Sequence, residues 1–347
     1  IRLGGEFQGG KNLSIDEIPN AQTLIINDST KITAKAMGSN GAGGRIIAWA
    51  DQQAAVFGQF DVTPGTHSGA GGFVEVSSGR TLTFNGSVRA GVDKRTGTLL
   101  LDPKNITIGS GSGDITDVFA TNASDDSTVA ASTINSTLTA GTNVVLQANN
   151  DITVSNAITA NNLDNSVNSG NGGDLTLQAG RSLLVNANIT TDNGALTLTA
   201  NDTGAVGAQR DPGAAVITMK SSGSGTTINT GTGTFTATIS TKSTSGDITL
   251  DNVTAGALVI SNNGATAGSD ILGNVGGVLT ITGVTTLAAG SSNDITLDTS
   301  TNNFQGAVVI TSGRNVALRD EDAIVLGAAT VSGTYGITAG GHITDSG

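Results

Sequence analysis

The tetrapeptide Asp-Ile-Thr-Leu occurs at Asp247 and again at Asp294, a step of 47. Its pattern, one polar residue between two apolar ones with Gly, Asn, Asp or Ser at either side, recurs along most of the chain. Leu175-Thr176-Leu177, Leu196-Thr197-Leu198 and Leu279-Thr280-Ile281 are examples, and Val144-Val145-Leu146 and Val316-Ala317-Leu318 are short apolar strands in the same setting. Alternation with a period of two marks a strand that buries one face. No stretch carries apolar residues at helical spacing for three turns, so helix is a minor component. Longer steps are present as well. "GDLTL" at Gly173 returns as "GDITL" at Gly246, a step of 73, and "SDILG" at Ser269 returns loosely as "GHITD" at Gly341, a step of 72. With the step of 47, these are multiples of roughly 24 residues, and a period of 20 to 50 is the mark of a stacked repeat array.

Which array follows from the side chains on offer. Of 347 residues 50 are Gly, aromatics make up 3 %, and there is one Trp and one Tyr. Sandwich domains of about 100 residues would need three separate cores, with too few large side chains to fill them. Propeller blades of about 40 to 45 residues carry aromatic motifs that are missing. A thin core of Val, Ile, Leu and Ala, with small residues at the corners, suits stacked coils whose backbone hydrogen bonds run along the axis. The sequence therefore predicts an all-β fold, a right-handed parallel β-helix (solenoid) of about 14–16 coils. At about 4.8 Å per coil that makes a rod of roughly 70 Å. Leu99, Leu101, Ile106, Leu177, Leu198, Leu250, Ile281, Leu297 and Ile310 are expected to point inward.

Charge narrows the partners. Charged residues are 13 % of the chain and the net charge is −12. Nucleic acid requires a basic stripe and anionic lipid a basic cluster, so neither is expected as a partner. No run of 18 apolar residues is present to span a membrane as a helix. Cysteine is absent, which removes disulfides and thiolate metal sites. The chain opens at Ile1 without Met and closes at "GGHITDSG" in the middle of a strand pattern; both ends read as cut from something longer or trimmed by processing.

Within the first third, "IRLGGEFQG" at Ile1, "GGRIIAWAD" at Gly43, "GGFVEVSSGRTLTFNGSV" at Gly71 and "GTLLLDPKNITI" at Gly97 occur in that order. This series resembles the filamentous-haemagglutinin-type exoproteins of Gram-negative bacteria, which leave the cell by two-partner secretion. In that family such a block lies beyond the N-terminal secretion domain, inside the β-helical shaft. The resemblance covers about residues 1–108; the stretch from Asp294, "DITLDTSTNNFQGAVVITSGRNVALRDEDAIVLG", also looks like the family's shaft repeats, and residues 109–293 match by composition and periodicity. The chain accordingly divides into a family-specific segment, 1–108, and a repetitive shaft, 109–347. The family's secretion domain and C-terminal modules have no counterpart here, and what they do is not carried over. Within "GTLLLDPKNITI", Leu99-Leu100-Leu101 reads as a strand covered on both sides, stopped at Asp102-Pro103 because Pro cannot donate to a ladder.

Residues that could carry chemistry each have a plainer reading. His67 and His342 stand far apart in Gly-rich turns, whereas a zinc or catalytic site needs several converging ligands. Asp320-Glu321-Asp322 offers oxygens to Ca²⁺ but lacks the Gly-spaced Asp ladder of calcium-loaded β-helices, so it reads, like Asp125-Asp126, as a solvated turn. Paired carboxylates flanking a glycosidic bond would make a polysaccharide-cleaving enzyme, but the acids fall mostly at coil corners, where Asp suits turns. The Thr pairs Thr81/Thr83, Thr197/Thr199 and Thr280/Thr282 are too irregular for an ice-binding array and ordinary for a wet strand. Gly41–Gly44 and Gly69–Gly72 lack the Lys-Ser/Thr and the strand-to-helix context of a phosphate loop. Asn-x-Ser/Thr sequons, from Asn12-Leu13-Ser14 onward, are about as frequent as chance allows and leave glycosylation open.

The expectation is thus a secreted, cell-surface shaft without catalytic, metal or cofactor-binding residues and without a cofactor. It would act in adhesion, biofilm matrix or filament formation, the alternative being a stalk that presents a distal contact-dependent toxin. What the resemblance implies for partners is an outer-membrane β-barrel secretion partner, acting through a part of the protein not seen here. Host or matrix glycans, other cells and end-to-end self-association are the further partners expected.

Overall fold

The computed structural model describes residues 1–10, 19–92, 95–111, 126–161, 172–220, 225–262 and 268–346. Strand accounts for 50 % and helix for 5 % of the structure. The chain is a parallel β-helix, and it divides into two compact units, Ile1–Thr176 and Leu177–Gly347.

In the first unit the coils contribute strands to three faces, named here by their order along a coil, with one exception where a helix takes the third-face place. Arg45–Ala50 pairs in parallel with Phe73–Ser78, and that strand with Thr98–Leu101, on the first face. Gln53–Val56 pairs with Thr81–Phe84 on the second, and Gln59–Asp61 with Ser87–Arg89 on the third. In the second unit Thr234–Ile239, Ala257–Asn262 and Thr285–Ala288 follow one another on the first face. Ser245–Leu250, Ile271–Gly273 and Ile295–Leu297 do so on the second, and Asn252–Ala255, Leu279–Ile281 and Asn303–Phe304 on the third. Because pairing is in register, like stacks on like: Phe235 meets Leu258, Ala237 meets Ile260, and Ile248 meets Ile271. All nine residues expected to point inward are buried, none more than 1 % exposed. At roughly 1.5–3 kcal/mol for each fully buried Leu or Ile, this column of aliphatic side chains is what holds successive coils together.

Registers show that the coils differ in length. Thr236 stacks on Val259 and Thr285 on Val308, so these coils are close to the sequence period. The coils from Leu196 to Phe235 and from Thr98 to Asn143 are far longer. On the first face the long coils consume chain without adding an extra layer; on the second, the coil from Thr98 to Asn143 contributes two strands, Asn105–Gly109 and Asp126–Ala130. The first and second faces carry thirteen strands each, and the described residues make about thirteen coils where the period alone predicts 14–16. The step of 47 between Asp247 and Asp294 is two coils on one face, since Ser245–Leu250, Ile271–Gly273 and Ile295–Leu297 are successive strands. The step of 72 is not a whole number of coils. Ser269 leads into the second-face strand Ile271–Gly273, while Gly341 leads into Ile343–Asp345, which pairs with Ile324–Val331 on the first face. Short coils explain the slip: Val308 stacks on Leu326 and Ile324 on Ile343, because among the described residues no third-face strand follows Asn303–Phe304.

One break in the winding lies where the burial pattern changes. Thr98–Leu101 is buried on both sides, Leu100 included at 6 % exposure, whereas Asn105–Gly109 alternates. After Asn105–Gly109 the chain returns with Asp126–Ala130, which inserts between that strand and Thr81–Phe84. The helix Ala131–Thr139 then takes the third-face place between Ser87–Arg89 and Ile158–Thr159.

Candidate functional site

Two polar arrangements stand out, one in each unit. The first lies on the outer side of the first face, where Ile47, Trp49, Glu75, Ser77 and Leu100 point away from the core yet are all at most 8 % exposed. What covers them includes the N-terminal turn Phe7–Gly10, which lies over Arg45–Ala50 and Phe73–Ser78. Gln8 and Gly9 adopt left-handed backbone angles, φ 49° and 67°. Gly9 needs to be glycine for a second reason: a Cβ there would stand 2.5 Å from the Trp49 ring. Trp49 Nε1 donates to Asp51 Oδ1 at 2.9 Å, and Asn20 Nδ2 donates to the same oxygen at 2.9 Å. Arg45 stacks its guanidinium on Phe7 and Phe73, 4.5 and 4.8 Å from the ring centres, a cation–π arrangement.

Glu75 lies beneath this cover with no exposed surface. The backbone N–H of Gln8 donates to its Oε1 at 2.9 Å, and the Gln8 side-chain amide reaches Gln147 Oε1 at 3.3 Å and Asp102 Oδ2 at 3.5 Å. Burial pushes the Glu75 carboxyl up to about 7; the Gln8 N–H and the nearby Ser77 hydroxyl pull it back, the Asp102 charge adds to the rise, and Arg45 offsets little. Glu75 Oε2 and Ser77 Oγ are buried without completing a hydrogen bond, so the group has one donor where a carboxylate accepts several.

In the second unit a carboxylate ladder climbs the edge of the second face. The backbone N–H of Asp270 donates to Asp247 Oδ1 at 2.9 Å, that of Asp294 to Asp270 Oδ1 at 2.8 Å, and that of Asn315 to Asp294 Oδ1 at 3.0 Å. Thr334 N–H continues the series to Asn315 Oδ1 at 3.1 Å. Each rung thus spends its side chain on the backbone of the next coil. Arg314 closes the acidic stretch by a two-pronged contact with Asp294, Nε to Oδ1 at 2.7 Å and its terminal nitrogen to Oδ2 at 2.8 Å. Those bonds, ahead of burial, which opposes them, and the Asn315 N–H, hold the Asp294 carboxyl down at about 2.

The residues singled out in the sequence fall elsewhere. His67 and His342 are exposed, in different units. Asp320 is not solvated: it is 2 % exposed, and its carboxylate accepts the N–H of Phe304 at 2.7 Å and of Asp322 at 2.8 Å. Asn303 Nδ2 bonds Glu321 Oε1 at 2.9 Å and Asp322 Oδ2 at 3.4 Å, so the acidic triplet fastens the chain of the preceding coil. Asp126 Oδ1 accepts from Asn105 Nδ2 at 3.2 Å; Asp125 and Asn12 lie outside the described residues. Thr81 and Thr83 are buried, Thr197, Thr199 and Thr280 half-buried and Thr282 exposed, so the pairs form no common wet array. The two glycine runs stack on one another: Gly41 N–H donates to Ser68 O at 3.2 Å and Gly43 N–H to Ala70 O at 2.9 Å. Around Tyr335 an open cleft of about 490 Å³ is lined by Leu326, Ala329, Tyr335 and Ile343, and burial raises the Tyr335 hydroxyl. Among the described residues no group of three or more His, Asp or Glu is placed to hold a metal, and no helix is long and apolar enough to cross a membrane.

Residues 241–311 and 313–347 match a family described as repeats of unknown function (DUF5649). The two stretches begin at 241 and 313, the same spacing as that read between Ser269 and Gly341. The first match spans three coils of three faces each, and the second spans the coils that lack a third-face strand. No curated protein matches the chain.

Proposed function

We propose that this chain serves as an extracellular, non-catalytic shaft in cell adhesion or in building a surface matrix. The observation that carries the reading is the ladder Asp247–Asp270–Asp294–Asn315, in which each outward side chain is tied to the backbone of the neighbouring coil. Acid groups used for chemistry converge on a substrate; these are distributed along a stack and consumed by it. The resemblance of residues 1–108 to two-partner-secreted exoproteins supports a place outside the cell, and repeats that bind one another in series supply reach.

An antibody raised against the second unit should label intact cells of the parent organism, and deleting the gene should lower surface attachment or biofilm mass. Labelling only after lysis, or attachment unchanged by the deletion, would overturn the proposal. Incubated with uronic-acid and neutral polysaccharides, the protein should release no reducing ends. Turnover abolished by replacing a single Asp would put a polysaccharide-cleaving enzyme in its place.

A further inference from the structure

The covered outer face of the first unit contains a buried carboxyl that neither the core nor the ladder uses. We propose that the N-terminal turn Phe7–Gly10 forms a strap held shut over this face by uncharged Glu75 and released when Glu75 ionises, while the strand Arg2–Leu3 before it stays paired with Arg45–Ala50.

The geometry supports the sense of the switch. The backbone donor to Glu75, the Gln8 N–H, belongs to the strap itself. The Ser77 hydroxyl can pair with Oε2 in either state and favours the ionised one, but it is outweighed by burial, the largest influence on the group. With the carboxyl ionised, a negative charge sits under a strap that offers it one N–H, and leaving a buried charge under-solvated is strongly unfavourable. The described charged groups around it do not rescue it. Asp102 repels it, and Arg45, which attracts it, is committed to the rings of Phe7 and Phe73. Just before the strap, Arg2 is paired with Glu6; Asp51 is bonded by Trp49 and Asn20. Water reaches the carboxylate most readily if the strap lifts, because the other side of the sheet is closed by Val74, Val76 and Leu99, all at 0 % exposure. Lifting it costs the Gln8 bonds, the Phe7–Arg45 stack and the packing of Gly9 on Trp49. It exposes a stripe of Ile47, Trp49 and Leu100. The raised affinity of Glu75 for its proton places the change near neutral pH: closed in acid, open in mild base.

Trp49 is the only tryptophan of the chain, and the strap lies on its ring, so its fluorescence reports the strap directly. In the full chain the emission maximum should stay constant from pH 5 to 6 and move to the red through a midpoint near 7, while the far-UV circular dichroism does not change. Glu75→Gln keeps an acceptor for the Gln8 N–H and cannot ionise; its emission should remain at the acid position up to pH 9. No red shift in the parent, an equal shift in Glu75→Gln, or a loss of strand signal alongside the shift each overturn the proposal. If Glu75→Gln does not fold, hydrogen exchange of the parent decides. Protection at Gln8 and Gly9, corrected for the intrinsic pH dependence, should drop between pH 6 and pH 8; unchanged protection overturns the strap.

Discussion

Phe73-Val74-Glu75-Val76 reads as an alternating strand with Glu75 on the wet side, and the alternation is right: Val74 and Val76 are buried in the core and Glu75 points outward. What the residue order could not show is that a segment far earlier in the chain covers it, since burial of an outward residue depends on a contact between Gln8 and Glu75 that leaves no local trace. The one available sign was the neighbouring strand Thr98–Leu101, whose unbroken leucines are out of place on a face open to water. The consequence is a pH dependence of opposite sign at two carboxyls. Glu75 binds its proton more tightly folded, about 7, than unfolded, 4.5. Its contribution is therefore intact below pH 4.5 and lost as pH rises through 7, amounting to up to about 3 kcal/mol, less whatever strap opening relieves. Asp294 behaves in reverse: with its folded value near 2, its stabilisation is present above the ordinary carboxylate value of 3.8 and fades as pH falls toward 2. Urea denaturation at pH 5, 6, 7 and 8 should show the parent weakening with pH and Glu75→Gln holding level, so that the variant is the more stable of the two at pH 8. Parallel curves for the two proteins would mean that Glu75 is solvated.

The elements that carry the fold were legible because each is short and repeats one rule, apolar inward and polar outward. The helix Ala131–Thr139 was not. Its sequence, Ala-Ser-Thr-Ile-Asn-Ser-Thr-Leu-Thr, is full of residues of modest helix propensity, has no acidic first turn and no side-chain cap bond, and on propensity alone fits a strand as well. Tertiary contacts decide it. Ile134 and Leu138, one turn apart, are both 0 % exposed. Thr133 Oγ1 donates to Gly86 O at 2.8 Å, while Asn135 Oδ1 accepts from the N–H of Thr159 at 2.8 Å and Thr139 Oγ1 from Asn161 at 3.3 Å. The helix thereby serves the open edges of the third-face strands before and after it, where a strand would otherwise have laddered. The inserted strand Asp126–Ala130 was equally hidden, because sequence order gives no hint that the chain doubles back to pair beside Thr81–Phe84. If the helix is such a plug, Leu138→Ala should cost about 2–5 kcal/mol, the range for truncating a buried leucine, read from urea midpoints at constant m-value. A loss below about 1 kcal/mol would mean that the helix merely decorates the surface and that Leu138 lies at a site able to collapse.

At the scale of the molecule, the sequence period and the coil part company wherever chain is added or removed at the corners. The coil from Thr236 to Val259 and the much longer one from Leu196 to Phe235 add the same single layer. Layers, not residues, are the units of stability, and each layer contacts only those next to it. This sets how damage spreads. Leu250 is fully buried in the second-face strand Ser245–Leu250, between Ala215–Met219 and Ile271–Gly273. Leu250→Asp places a charge there with no partner, costing several kcal/mol. In a globular domain with one shared core, such a loss lowers the protection of all amides together. In a stack of layers it opens the neighbours first, because local opening follows local contacts. Hydrogen exchange on Leu250→Asp should accordingly show protection lost in Ala215–Met219, Ser245–Leu250 and Ile271–Gly273, with Arg45–Ala50 and Phe73–Ser78 as slow as in the parent. Uniform loss across all five strands would show that the coils fold as one cooperative body, and parental protection throughout would show that position 250 does not face the core.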